Sequence, residues 1–309
     1  MNDLQSKLKA VIKGDVVSDE ESLNTYSHDA SIFEVKPKAV VFPKDAEDIK
    51  ALIKFVSENK TSDPNLSLTA RSGGTDMGGG CLNDSIIVDF TKYFNKIKSV
   101  DKNSAVTESG VYYRDFEKET LKNNLIFPSY PSSREICAIG GIIGNNAGGE
   151  KSLSYGKTER YVEKLKVVLS DGNEYEFKSL NKDELKEKIQ QNNFEGEIYR
   201  KIYELISNNY DLLQDAKPKV SKNSAGYYLW NVWDGKTFDL TKLFVGAQGT
   251  LGLLTEAEIG LVPVKKHAEM MILFLHDLSH LAEIINIVLP LKPDTFEAYD
   301  DNTLKLALK

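Results

Sequence analysis

Ten of the chain's 21 glycines fall in two short stretches, residues 71–80 and 140–149, five in each. The first reads Arg71-Ser72-Gly73-Gly74-Thr75-Asp76-Met77-Gly78-Gly79-Gly80. The second runs from Ile139 through Gly140-Gly141, Gly144-Asn145-Asn146-Ala147-Gly148-Gly149 and on to Tyr155-Gly156. Glycine this dense costs conformational entropy, so a folded chain rarely keeps it without a use. The use that fits is backbone lying close to a ligand, with N–H groups turned inward around an anion. Two such loops in one chain imply one large phosphorylated ligand clamped from two sides.

The flanking pattern sets these loops in an α/β frame. Residues 39–42 read as a buried strand, and Asp45 is placed to cap a helix with Ile49, Leu52, Ile53 and Val56 on its apolar face. Residues 66–69 and 85–89 read as strands on either side of the first glycine loop. Short strands are expected over 95–110 and a helix over 113–123. Residues 163–169 and 174–177 form a hairpin about Asp171-Gly172. The charged stretch 181–210 reads as a helical surface insertion, with 183–188 a solvated face. Residues 243–246 and 253–262 read as closing strands. After residue 266 the pattern restarts as strand (270–275), helix from Ser279 to about Val288, strand (295–299) and helical turn (302–308). This fragment is short for a domain, and its apolar faces need partners.

Charge and cysteine content narrow the partners. The formal charge is −7, which argues against nucleic acid or an anionic membrane surface. A phosphate must then be held by local N–H dipoles and a few basic side chains. Cys81 and Cys137 form no CxxC, and two small buried hydrophobes is the better reading of them. The start of the chain is polar and lacks a signal-peptide core, and no apolar run is long enough to span a bilayer. A cytoplasmic protein is expected, at most held to a membrane through a partner.

Neither loop contains GxGxxG, and Lys151 stands where a P-loop ending at Gly156-Lys157-Thr158 would need glycine. His276 and His280 are four apart but make no HExxH, so no metal site is expected. His28, Trp230 and Trp233 read as structural.

Four stretches together carry a resemblance. Residues 71–79 are the first. Pro131-Ser132-Ser133 followed by Ile139-Gly140-Gly141 and Asn145-Asn146-Ala147-Gly148-Gly149 is the second, with Tyr155-Gly156 completing it. Asn223 with Gly226-Tyr227 is the third, and Gly249-Thr250-Leu251-Gly252 within residues 246–257 the fourth. Over roughly residues 20–265 the chain resembles the FAD-binding domain of the vanillyl-alcohol-oxidase and p-cresol-methylhydroxylase (PCMH-type) superfamily. It is most similar to the branch of glycolate oxidase flavin subunits and D-lactate or D-2-hydroxyglutarate dehydrogenases.

The resemblance implies an α+β fold. Residues 1–37 would be a helical lead, and residues 38–265 a PCMH-type FAD-binding domain of two α/β subdomains, about 38–100 and 101–265. Residues 266–309 would be the beginning of an incomplete cap. It implies FAD contacts from Arg71, Ser72, Gly73, Gly74, Thr75, Asp76 and Gly78 on the diphosphate. Pro131, Ser132, Ile139, Gly140, Gly141, Gly144, Asn145, Ala147, Gly148, Tyr155 and Gly156 would serve the second loop, with Leu253 meeting the adenine end through its main chain and Val162 lining the same region. Lys222, Asn223 and Tyr227 are substrate-side candidates, with a surface turn as the plainer reading. Relatives with covalent flavin carry histidine where Thr75 stands, so the FAD is expected to be non-covalent. Many relatives have glutamate where Gln248 stands. The histidine-rich part of the family's cap is absent, so no catalytic base is named. The activity implied is oxidation of a 2-hydroxy acid by hydride transfer to flavin N5. The alternative is a non-catalytic FAD-binding electron-transfer subunit whose partner completes the cap. A cell-wall-precursor reductase of the same fold fits the glycine loops but not the Gly-Thr-Leu-Gly segment.

Overall fold

The computed structural model describes residues 3–220, 223 and 225–308. Lys222 lies outside the described residues. The first sheet holds β1 (Asp15–Val17), β2 (Ala39–Phe42), β3 (Leu68–Arg71) and β4 (Ile86–Asp89) in the order β1-β2-β4-β3. β2, β4 and β3 run parallel, and β1 adds an antiparallel edge. Parallel neighbours need a crossover. The helix Ala46–Asn59 supplies it between β2 and β3, started by Asp45, whose side chain accepts the Asp48 N–H. Its apolar face buries Ile49, Leu52 and Phe55. The connection from β3 to β4 is the first glycine loop. The N-terminal lead is more than helical: Leu8, Ile12 and Val16 enter this core, and β1 pairs with β2.

The chain continues through β5 (Ile97–Val100), β6 (Ser104–Glu108), β7 (Leu125–Ile126), β8 (Val162–Val168), β9 (Glu174–Leu180), β10 (Phe238–Asp239), β11 (Leu253–Gly260) and β12 (Val262–Pro263). Six of these make an antiparallel sheet, β10-β9-β8-β11-β6-β5, while β7 and β12 pair separately. β5 therefore belongs with the second sheet. Antiparallel strands show alternating faces. Leu165 and Val167 of β8 point into the core, while Lys164 and Lys166 point outward.

On that outer face Glu256 lies between Lys166, 2.9 Å away, and Lys98. Burial pushes the Glu256 carboxyl up, but the hydrogen bonds from Lys166 and Lys98 outweigh it and hold the group below its ordinary value. A depressed carboxyl stabilises the fold above its unfolded value of about 4.5, and that contribution is lost as pH falls through the folded value. Both lysines are over a third exposed, so the gain is about 1 kcal/mol at most. Glu256→Gln should therefore lower the urea midpoint at pH 7 and leave it close to that of the parent at pH 3. An equal deficit at both pH values would remove the electrostatic explanation.

Four local expectations are corrected. Residues 181–210 are not a surface insertion alone: the helices Lys182–Gln190 and Phe194–Asn208 bury Leu185, Tyr199 and Ile206 in the second-sheet core. The stretch 243–246 is no strand, because Asp239 accepts from the Thr241 N–H at 2.9 Å and starts the helical turn Thr241–Phe244. Residues 270–275 and 295–299 form no strands: no neighbouring strand pairs with either, and Met270, Met271 and Phe274 are more than four-fifths exposed. The helix Leu281–Val288 forms with His280, not Ser279, at its N-cap; the Ser279 hydroxyl is bonded to Asp277 instead. The helix Asp301–Ala307 also forms, and neither helix buries a residue.

Candidate functional site

β3 ends at Arg71, and the first glycine loop leaves the sheet there. The Arg71 guanidinium turns back beneath the loop. It donates to the His28 carbonyl at 2.7 Å, stacks over the Tyr26 ring at 5.0 Å, and lies against Gly74, where φ is +65°. His28 thus holds Arg71 through its backbone. Asp76 closes the loop on itself, accepting the Gly80 N–H at 2.7 Å, while its carbonyl takes the Ala30 N–H. Among the described residues, the amides of Gly73, Gly74, Thr75, Asp76, Met77 and Gly78 donate no hydrogen bond to protein.

The second loop is zipped to the end of β6. Tyr113 N–H bonds to the Cys137 carbonyl, Ile139 N–H to Val111, and Gly140 N–H to Ser109 at 2.7 Å. This seats the short helix Ile139–Gly144 with Ile139, Ile142 and Ile143 in the core. Its far end is clamped by the fourth motif: Gly246 N–H bonds to Ile143 O and Gln248 N–H to Gly144 O at 2.8 Å. Gln248 takes φ +51° to do so.

The two loops meet. An alanine Cβ at Gly73 would stand 2.4 Å from the Ile136 carbonyl oxygen and 3.1 Å from Cys137 Cα. One at Gly141 would rest 3.4 Å from the Ser72 Cβ. Between them opens a cavity of about 560 Å³, within the usual range for cofactor sites. Arg71, Ser72, Gly73, Gly74, Thr75, Asp76 and Gly78 line one side. Pro131, Ser132, Gly140, Gly141, Gly144, Asn145 and Ala147 line the other.

Six expected residues lie elsewhere. Ile139 is fully buried in the second core, and its N–H is taken by Val111. Gly148, Tyr155 and Gly156 form a turn outside the cavity; Gly156, at φ +75°, gives its carbonyl to Ser129. Val162 and Leu253 are buried and do not line the cavity. Alternation along the strand decides the case of Leu253: Leu254 on β11 reaches the cavity while Leu253 packs under the first sheet; Val162 shares the core of Leu165 and Val167 but lies further along β8, away from the cavity. The strand pattern contained that signal. Ser109, Gln248 and Ala247 also line the cavity; the bonds from residues 246–248 to residues 143–144 bring the last two there, and no local pattern foretells it.

Asn223 and Tyr227 do not line the cavity. The Asn223 carbonyl accepts from Lys157 at 2.7 Å and from the Tyr228 hydroxyl, and the Tyr227 hydroxyl pairs with Thr250 at 2.7 Å. The segment thus braces the second and fourth motifs from outside.

Of the lining residues, Arg71 and Asp76 bear the charge, and no histidine, lysine, glutamate or tyrosine is among them. Cys81 and Cys137 both line the wall, and burial pushes each thiol up to about 11. They are neutral at physiological pH and poor nucleophiles. With Thr75 on the first loop, the walls offer nothing activated for a covalent link. The features suit an FAD held without one: unpaired amides for a diphosphate, apolar Leu165, Val167 and Leu254 for rings, and glycines where chain meets chain. Among the described residues no cluster of metal-binding side chains occurs, and no helix is long and apolar enough to cross a membrane.

Comparison with known proteins agrees with this geometry. A family model described as the FAD binding domain matches residues 37–178. The D-2-hydroxyglutarate dehydrogenase of Pseudomonas putida is 27% identical over 99% of this chain, which covers 30% of that protein. The glycolate oxidase subunit GlcD of Bacillus subtilis is 28% identical over 90% of the chain and 49% of its own length. The chain thus spans half or less of these relatives. A solved alkyldihydroxyacetonephosphate synthase shares the fold, with a TM-score of 0.58 at 18% identity over 85% of this chain and 40% of that one.

Proposed function

We propose that this chain, which carries an FAD-binding domain over residues 37–178, is the flavin-holding part of an oxidoreductase acting on a small 2-hydroxy acid of the D-lactate, glycolate or D-2-hydroxyglutarate type. The observation that carries the proposal is the meeting of the two glycine loops around one cavity. The names of the relatives support the substrate class. Bound FAD would accept the hydride leaving the substrate Cα. Residues 73–78 would hold the diphosphate through their free amides, with the Arg71 charge beneath them. Residues 140–147 would lie along the rest of the cofactor, and Leu165, Val167 and Leu254 would keep water from its rings. The group that takes the hydroxyl proton and the clamp for the substrate carboxylate are not in this wall.

The exposed apolar run 270–275 favours a second reading, an FAD-binding electron-transfer subunit covered there by a partner. Anaerobic addition of D-lactate, glycolate or D-2-hydroxyglutarate separates the two. Under the first reading at least one acid bleaches the flavin band at ~450 nm. Bleaching only after a partner subunit is added supports the second. Flavin that stays oxidised in every case in a full-length form removes the 2-hydroxy-acid assignment.

A further inference from the structure

One polar group in the cavity wall is left without a partner by the fold. Ser109 follows β6, is 2% exposed, and its Oγ is buried with no hydrogen bond among the described residues. Its main chain is fully engaged. The N–H donates to Thr255 at 3.2 Å, and the carbonyl accepts from Gly140 N–H at 2.7 Å and from the Ser72 hydroxyl at 3.4 Å. Ser109 therefore stands at the seam where the first glycine loop meets the second.

Folded proteins seldom bury a hydroxyl unpaired, and each instance asks for an explanation. Among the described residues two other buried hydroxyls share the condition, Ser152 and Tyr199, and neither lines the cavity. Ser152 lies against Gly148, and Tyr199 sits among Phe177 and Phe238. Of these three residues only Ser109 lines the cavity. Its neighbours there indicate the ligand's chemistry. Ser72 touches its carbonyl, and beyond Ser72 come the unpaired amides of residues 73–78. A row of donors with no acceptor in the protein suits an anion, and a serine hydroxyl can add one more donor to the row.

We propose that Ser109 donates its hydroxyl hydrogen bond to the diphosphate of bound FAD and so belongs to the binding machinery of both loops. This rests on the FAD reading given above. Because the hydroxyl bonds to nothing among the described residues, removing it should weaken the ligand and spare the fold.

The test compares the parent and Ser109→Ala apoproteins, titrated with FAD, ADP and riboflavin by calorimetry, with apoprotein melting recorded alongside. A hydrogen bond to a charged group predicts about tenfold weaker binding of FAD and of ADP. Riboflavin, which has no phosphate, should bind both proteins alike, and the melting temperature should hold or rise. Ser109→Gly should repeat the pattern. FAD affinity unchanged in both variants overturns the proposal, as does an equal loss for riboflavin. Parent protein that binds no FAD would instead overturn the cofactor reading itself.

Discussion

Gly73→Ala is expected to yield protein with almost no bound flavin and an FAD affinity lowered by at least about a hundredfold, the loss of two charge-assisted hydrogen bonds. The added Cβ would lie 2.4 Å from the Ile136 carbonyl oxygen and 3.3 Å from the Ala138 nitrogen. Those are backbone atoms, and they cannot step aside. The Cys137 amide is bonded to Ser133, the Cys137 carbonyl to Tyr113, and the Ile139 amide to Val111. The first loop must move instead, and its free amides move with it. A matched control is Gly78→Ala. There the nearest atom is Asp76 Oδ2 at 3.4 Å, ordinary contact with a side chain, and binding should fall by about threefold at most. Flavin-to-protein absorbance ratios and FAD titrations read both variants. Equal behaviour of the two would mean that the contact between the loops does not shape the cofactor site.

Much of this site was legible from residue order because glycine density is a local signal with a local cause. Fourteen of the twenty expected contacts line the cavity, and nearly all come from the two dense stretches. The misses came from the second loop's flanks, from strands and from the tail. Leu253 sits on β11, where one residue of register decides which core a side chain enters, and bulges in the β8–β11 pairing shift that register; Val162 shares the core of Leu165 and Val167 but lies beyond the cavity. Gly156 reads like a ligand contact, yet its positive φ serves a turn that hands its carbonyl to Ser129. Ser109 was invisible because a serine after a strand has many ordinary uses, and only the missing partner singles it out. The stretch 270–275 has the apolar content of a strand, but a strand exists only when another pairs with it.

The second glycine loop owes its shape to Asn146, and substitutions there should give the larger stability losses. Asn146 is fully buried at φ +43°, a region that asparagine tolerates better than most residues. Its side chain closes a two-way clamp: Nδ2 donates to Glu159 Oε2 at 2.8 Å, and Oδ1 accepts the Glu159 N–H at 3.0 Å. The Glu159 carbonyl in turn accepts from Lys242 at 2.7 Å. Asn146→Gly keeps the backbone angle and removes both bonds, for an expected loss of about 2 kcal/mol. Asn146→Ala removes the same bonds and adds left-handed strain, for about 3 kcal/mol. Asn146→Asp keeps the acceptor for the Glu159 N–H but sets two carboxylates face to face, which raises the affinity of the pair for a proton in the folded state. Its destabilisation should therefore be greatest at neutral pH and shrink as pH falls through the raised folded value, opposite to the trend set by Glu256. Urea unfolding of the apoproteins at pH 7 and pH 5 distinguishes these cases. The clamp matters if glycine is worse than the parent and alanine worse than glycine. If glycine equals the parent, the hydrogen bonds contribute nothing, and only the backbone angle holds the loop.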